Sequence, residues 1–236
     1  MSEWAAKRFW KAATVEGTAG DFGVLLDSRA LRSPAKSALR VPSRAMAEAI
    51  AAEWDAQDGV IRPDTMPVTR SANAAIDKVR VQFDEVVAML GDYGDTDLLC
   101  YRAESPEELA RREADAWDPL LDWARAEFGA HLQVTSGVMP VAQDPQAVAP
   151  LRAALAALSE FELAAMHDLI AISGSLVLGL AVGQGRLDAA EAWRLSRIDD
   201  DWQIAQWGDD EEAAELAALK RAALLDAERI WYLARA

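Results

Sequence analysis

Only one cysteine and two histidines occur among the 236 residues. Cys100 has no partner for an internal disulfide, and His131 with His167 leave too few soft ligands for a zinc site made by one chain. Long apolar runs are also missing. The longest, residues 176–182, is interrupted by Gly179 and falls far short of the roughly 18 to 20 residues a bilayer-spanning helix needs. The amino terminus MSEWAAKRFW has neither an apolar signal core nor an Arg/Ser-rich presequence, so a cytoplasmic home is expected.

Catalytic signatures are equally sparse. The glycines between Gly17 and Gly23, and Gly183-Gln184-Gly185, lack the spacing and the following Lys-Ser/Thr of a phosphate loop. Ser173-Gly174-Ser175 does not match the Gly-x-Ser-x-Gly of a nucleophile elbow. Cys100, between Leu99 and Tyr101, reads as a small core residue. His167 beside Asp168 reads as a locally bonded helical histidine. The competing reading is a hydrolase-like enzyme using carboxylates and His167 in an inter-domain cleft.

What is abundant is negative charge, and it is unevenly placed. Lys and Arg number 24 against 39 Asp and Glu, a net charge of −15. Residues 1–45 hold eight basic and four acidic side chains, whereas the remainder holds 16 and 35. Such a surface repels phosphate backbones, so nucleic acid is a poor partner and a protein with a basic or mixed surface a better one. A generic acidic adaptor would satisfy the charge alone. A core is affordable, since 52% of residues are hydrophobic.

Residues 8–41 have a short, β-like texture. RFWKAATV and DFGVLLD read as strands around the break EGTAG, with a tight connection at Asp27-Ser28-Arg29. From Pro42-Ser43 onward the period changes to that of helices, beginning with Met46, Ala49, Ile50 and Trp54. The spacing of Ala72, Ile76, Val79, Phe83, Val86, Val87 and Leu90 predicts one long amphipathic helix. Ser105-Pro106-Glu107-Glu108 predicts a hydroxyl-capped start with proline at the first helical position, and Pro119 a kink or division further on. Asp144-Pro145 opens another helix, and Ser159 with Glu162 is a capping box. GSLVLGLAVG is apolar all round, hence a central buried helix. Asp188 with Glu191 opens a helix carrying Trp193, Ile198 and Trp202, and a last one runs over residues 209–233. The fold class is therefore α+β, with a β-rich amino-terminal domain over 1–42 packed on a larger, mainly helical domain over 43–236.

Nine tryptophans are many for this length. Trp54, Trp117, Trp123 and Trp193 stand at apolar helical spacing and are assigned to the core, while Trp4, Trp10, Trp202, Trp207 and Trp231 are open. Asp199, Asp200 and Asp201 are consecutive on a helix and point in diverging directions, so they do not form a cation site. Between residues 197 and 215 stand eight acids and one base around Trp202 and Trp207, a composition suited to anchoring and steering a basic partner.

Six blocks in order carry a resemblance: EWDAQ (53–57), MPVTRSANAAID (66–77), TDLLCYRA (96–103), WDPLLDWA (117–124), SLVLGLAV (175–182) and DWQIAQWGDD (201–210). Together they resemble the family of assembly chaperones for the alpha subunit of the F-type ATP synthase catalytic head, over about residues 8–212. The resemblance implies a non-enzymatic monomer without cofactors. Such a chaperone binds unassembled alpha subunit and shields its interface until the beta subunit replaces it. It also implies a partner-binding set of Asp199, Asp200, Asp201, Trp202, Gln203, Gln206, Trp207 and Glu53. The family's glutamate-rich stretch is here three aspartates, each arm one methylene shorter. Glu53 is also a candidate cap, with Trp54 as a structural plug.

Overall fold

A computed structural model describes residues 7–137 and 139–236; Trp4 lies outside them. The chain forms two compact units, Met1–Phe83 with Ser159–Ala165 and Arg229–Ala236, and Asp84–Leu158 with Met166–Glu228.

The first unit carries a small antiparallel sheet, β1 (Ala13–Thr18), β2 (Asp21–Leu26), β3 (Arg29–Ala30) and β4 (Arg40–Val41), with β2 pairing all three others. The break EGTAG is mostly strand: Glu16, Gly17 and Thr18 pair with Gly23, Phe22 and Asp21, leaving two residues for the turn. Asp27 turns the chain at φ 55°, as expected of a two-residue hairpin. Phe22, Val24 and Leu26 alternate into the core against Met46 and Ile50 of α1 (Arg44–Asp55), a helix capped by the Ser43 hydroxyl. Asp55, closing α1, takes the Ala13 amide at 2.8 Å.

The long helix expected over residues 72–90 is interrupted. Helix α2 (Pro67–Ala74) widens into a π-turn at Ala75–Val79, and α3 (Phe83–Gly91) begins only after a break at residues 80–82. Phe83, Val86 and Val87 are accordingly only half-buried. The π-turn leaves Asp77 accepting from the Ser33 hydroxyl at 2.6 Å and the Ala35 amide at 3.0 Å, a tie from helix to sheet loop that a regular period does not foresee.

In the second unit, β5 (Tyr101–Arg102) pairs in parallel with β6 (Thr135–Ser136). Helix α4 (Glu107–Phe128) starts one residue later than the sequence signal: Pro106 is itself the cap residue, no side chain caps it, and Pro119 lies within a helix that is not divided. Helix α5 (Pro145–Ala156) follows its Asp144 cap. The capping box at the start of α6 (Glu160–Ser173), in the first unit, is reciprocal: the Ser159 amide donates to Glu162 at 2.7 Å and the Glu162 amide to the Ser159 hydroxyl at 3.3 Å. Helix α7 (Leu176–Gly183) is buried from Leu176 to Val182, as its all-round apolarity requires. Gly179 lets it approach closely, since a Cβ there would stand 2.5 Å from the Ile170 side chain. The helix begun at Asp188 divides into α8 (Ala189–Ser196) and α9 (Ile198–Trp207) at Arg197, and α10 (Glu211–Arg235) ends the chain.

Of the tryptophans assigned to the core, Trp117 is fully buried, but Trp54, Trp123 and Trp193 are half-exposed. Trp10 and Trp231 are buried instead. Helical spacing gives a face but not what covers it, so a wide indole at the rim of a stripe keeps one edge in water.

Candidate functional site

Three aspartates crowd the first turn of α9, where negative charge is favoured by the helix dipole. They diverge as expected. Asp200 and Asp201 are exposed and both reach back to Arg197, at 3.0 and 3.7 Å. Asp199 is half-buried and hydrogen-bonds the Glu113 carboxyl of α4. Trp202 is half-covered, with the Arg112 guanidinium 5.9 Å from its ring, while Gln203 and Gln206 face solvent and Trp207 is 80% exposed. Asp200, Asp201, Gln203 and Trp207 line one open groove of about 600 Å³ with the first turns of α10; Asp199, Trp202 and Gln206 do not.

Glu53 belongs to the first unit and is a cap. Its two oxygens accept the amides of Val68 and Thr69 at 2.7 and 2.8 Å, and the Thr69 hydroxyl at 2.6 Å, closing the start of α2. Glu53→Gln turns one acceptor into a donor facing these groups. We expect urea denaturation to show a loss of about 1–2 kcal/mol.

Sequence reading missed two acids. Asp97 is fully buried, accepting the Ser175 hydroxyl at 2.7 Å and the amides of Val177 and Leu99 at 3.0 Å each, which ties TDLLC to the start of α7. Burial pushes its acid up to about 6 against these bonds. Glu113 is 1% exposed and accepts the Ala103 amide at 2.7 Å. Burial first, then its hydrogen bond with Asp199, pushes the Glu113 acid up to about 7, with Arg102 opposing. Its signal was present: Leu109, Glu113, Trp117 and Leu120 share one stripe of α4, so an acid there lies on the core face.

Other reactive groups do not assemble. Burial pushes the Cys100 thiol up to about 12, far from a nucleophilic thiolate at neutral pH. His167 bonds its neighbour Asp168 at 2.9 Å, which raises its pKa, and His131 is exposed. Among the described residues no three His, Cys, Asp or Glu side chains converge as metal ligands, and no helix is long and apolar enough to cross a membrane.

Helix α9 presents acidic, amide and aromatic side chains to solvent, a composition found at protein-binding surfaces. Residues 7–125 match the family model described as ATP12 chaperone protein. The crystal structure of Atp12 from Paracoccus denitrificans matches with a TM-score of 0.95 and 55% identity over 99% of this chain and 100% of that one. The Atu1473 protein from Agrobacterium tumefaciens matches with a TM-score of 0.91 and 41% identity over 96% of this chain and 85% of that one. The mitochondrial protein atp12 of Schizosaccharomyces pombe is 27% identical over 222 residues, 89% of this chain and 76% of its own length. The chain belongs to the ATP12 chaperone family, the ATP synthase assembly chaperones that its sequence blocks resemble.

Proposed function

We propose that this chain is the cytoplasmic chaperone of the ATP synthase alpha subunit, holding it unassembled and covering its subunit interface until the beta subunit takes over. The observation that carries this reading is the near full-length likeness to Atp12 of Paracoccus denitrificans, at 55% identity. The exposed part of α9 supports it: Asp200, Asp201, Gln203, Gln206 and Trp207 present charge, amides and a large aromatic to solvent. Asp199 and Trp202 act behind them, fixing α9 to α4 through Glu113 and Arg112.

Co-expression with the alpha subunit of the same organism, followed by size-exclusion chromatography, tests it. A soluble complex is expected, and alpha aggregating equally with and without this chain sinks the proposal. Changing Asp200 and Asp201 together to Asn should weaken capture several-fold, because charges at an interface rim govern association. Both are exposed, so melting should move by less than about 2 °C.

A further inference from the structure

Gly208, at φ +89°, ends α9 and turns the chain into α10. The groove between these helices has apolar walls from Trp193, Ile204 and Leu216. Trp207 and Leu216, both lining it, are 80% and 53% exposed, and Leu219, one turn along α10, is 70% exposed. No other stretch of the described residues exposes three large apolar side chains so close together in sequence. In water, apolar surface of this kind marks an interaction site.

The charge at the groove is polarised, with Asp209 and Asp210 in its lining and Glu211, Glu212 and Glu215 on the adjoining turns of α10. Asp200 and Asp201 are already engaged by Arg197. Residues 209–215 hold Asp209, Asp210, Glu211, Glu212 and Glu215 with no basic residue among them. Among the described residues none of these five makes an ion pair, and only Asp210 is used, capping the Ala213 amide at 2.9 Å. Lys220 and Arg221 line the groove further along α10. An occupant must therefore bring apolar side chains to Trp207 and Leu216 and positive charge to the acidic turn.

Resting on the reading that this chain holds the alpha subunit, we propose that the α9–α10 groove docks an amphipathic segment of that subunit, its Lys or Arg side chains meeting Asp209–Glu215 and its apolar face covering Trp207 and Leu216. Trp207 is the anchor, and Asp199, turned inward to Glu113, makes no contact with the partner.

The test uses the full chain co-expressed with alpha subunit, with bound alpha quantified by size-exclusion chromatography at two salt concentrations. Trp207→Ala and Leu216→Ala should each reduce capture about tenfold, as truncation of a central interface anchor does. A variant with Asp209, Glu211, Glu212 and Glu215 changed to Asn or Gln should capture less at low salt and lose the salt dependence. Circular dichroism melts should match the parent, since these side chains are exposed. Variants that capture alpha like the parent overturn the groove while leaving the chaperone reading intact; a parent that captures no alpha removes both. Light scattering is the second arm: a parent dimer abolished by Trp207→Ala would show that the groove serves a second copy, overturning the proposal.

Discussion

Trp117→Ala should remove about 4 kcal/mol of stability, a large fraction of the roughly 5–15 kcal/mol that holds a domain together. The indole is 1% exposed, and its nitrogen donates to the Leu195 carbonyl at 2.9 Å, joining α4 to the end of α8. One face carries the Arg102 guanidinium at 5.1 Å from the ring. That arginine, itself buried, donates to the Leu99 and Tyr101 carbonyls at 2.6 and 2.9 Å and to Asp118 at 2.6 Å. Alanine leaves a cavity, an unpaired carbonyl and a buried cation without its cover, so the loss exceeds the transfer free energy of the ring. Urea denaturation measures it. Trp117→Phe, which keeps most of the volume but not the N–H, should lose about half as much; equal losses in the two variants would show that the hydrogen bond rather than the packing dominates.

Glu113→Gln should make the protein more stable than its parent in alkaline solution and no different in acid. Folding raises the Glu113 acid from 4.5 to about 7, so the folded chain holds that proton more tightly than the unfolded one. The resulting stabilisation is complete below pH 4.5 and is lost as pH rises through 7. A glutamine keeps an oxygen for the Ala103 amide and an N–H for Asp199, imitating the protonated acid at every pH. Between pH 5 and 8.5 the gap in unfolding free energy between variant and parent should open by on the order of 2 kcal/mol. Chemical denaturation across that range decides it, and a gap independent of pH would show that Glu113 stays ionised when folded. Glu113→Ala, by contrast, strands the Ala103 amide and Asp199 and should be worse than the parent throughout.

Much of the helical order was legible because caps are local. Ser43, Asp144, Ser159 and Asp188 each accept an amide two or three residues ahead, a bond that needs nothing from the rest of the chain. Ser105 carried the same signature, yet the helix there starts from Pro106 without side-chain help. The sheet was legible from its alternation at Phe22, Val24 and Leu26. Breaks at residues 80–82 and at Arg197 were not, because an apolar stripe keeps its period across a short interruption. At the candidate site, the divergence of Asp199, Asp200 and Asp201 followed from helix geometry alone. Which of them turns inward depended on Glu113, 86 positions earlier, and no local pattern reaches that far. Asp97 was hidden for the same reason, its partners Ser175 and Val177 lying at the start of α7, 78 and 80 positions later.

The bond from Asp55 to the Ala13 amide bears on how this chain meets an extended strand of another protein. In the register of β1 and β2, alternate residues of β1 turn their amides outward, beginning with Ala13, then Val15 and Gly17. Asp55 occupies the first, and only two outward amides remain along that border. A newly made protein offering a sticky strand thus finds no long template here on which to extend a sheet. A border shortened in this way gives the strand of another protein few groups to pair with.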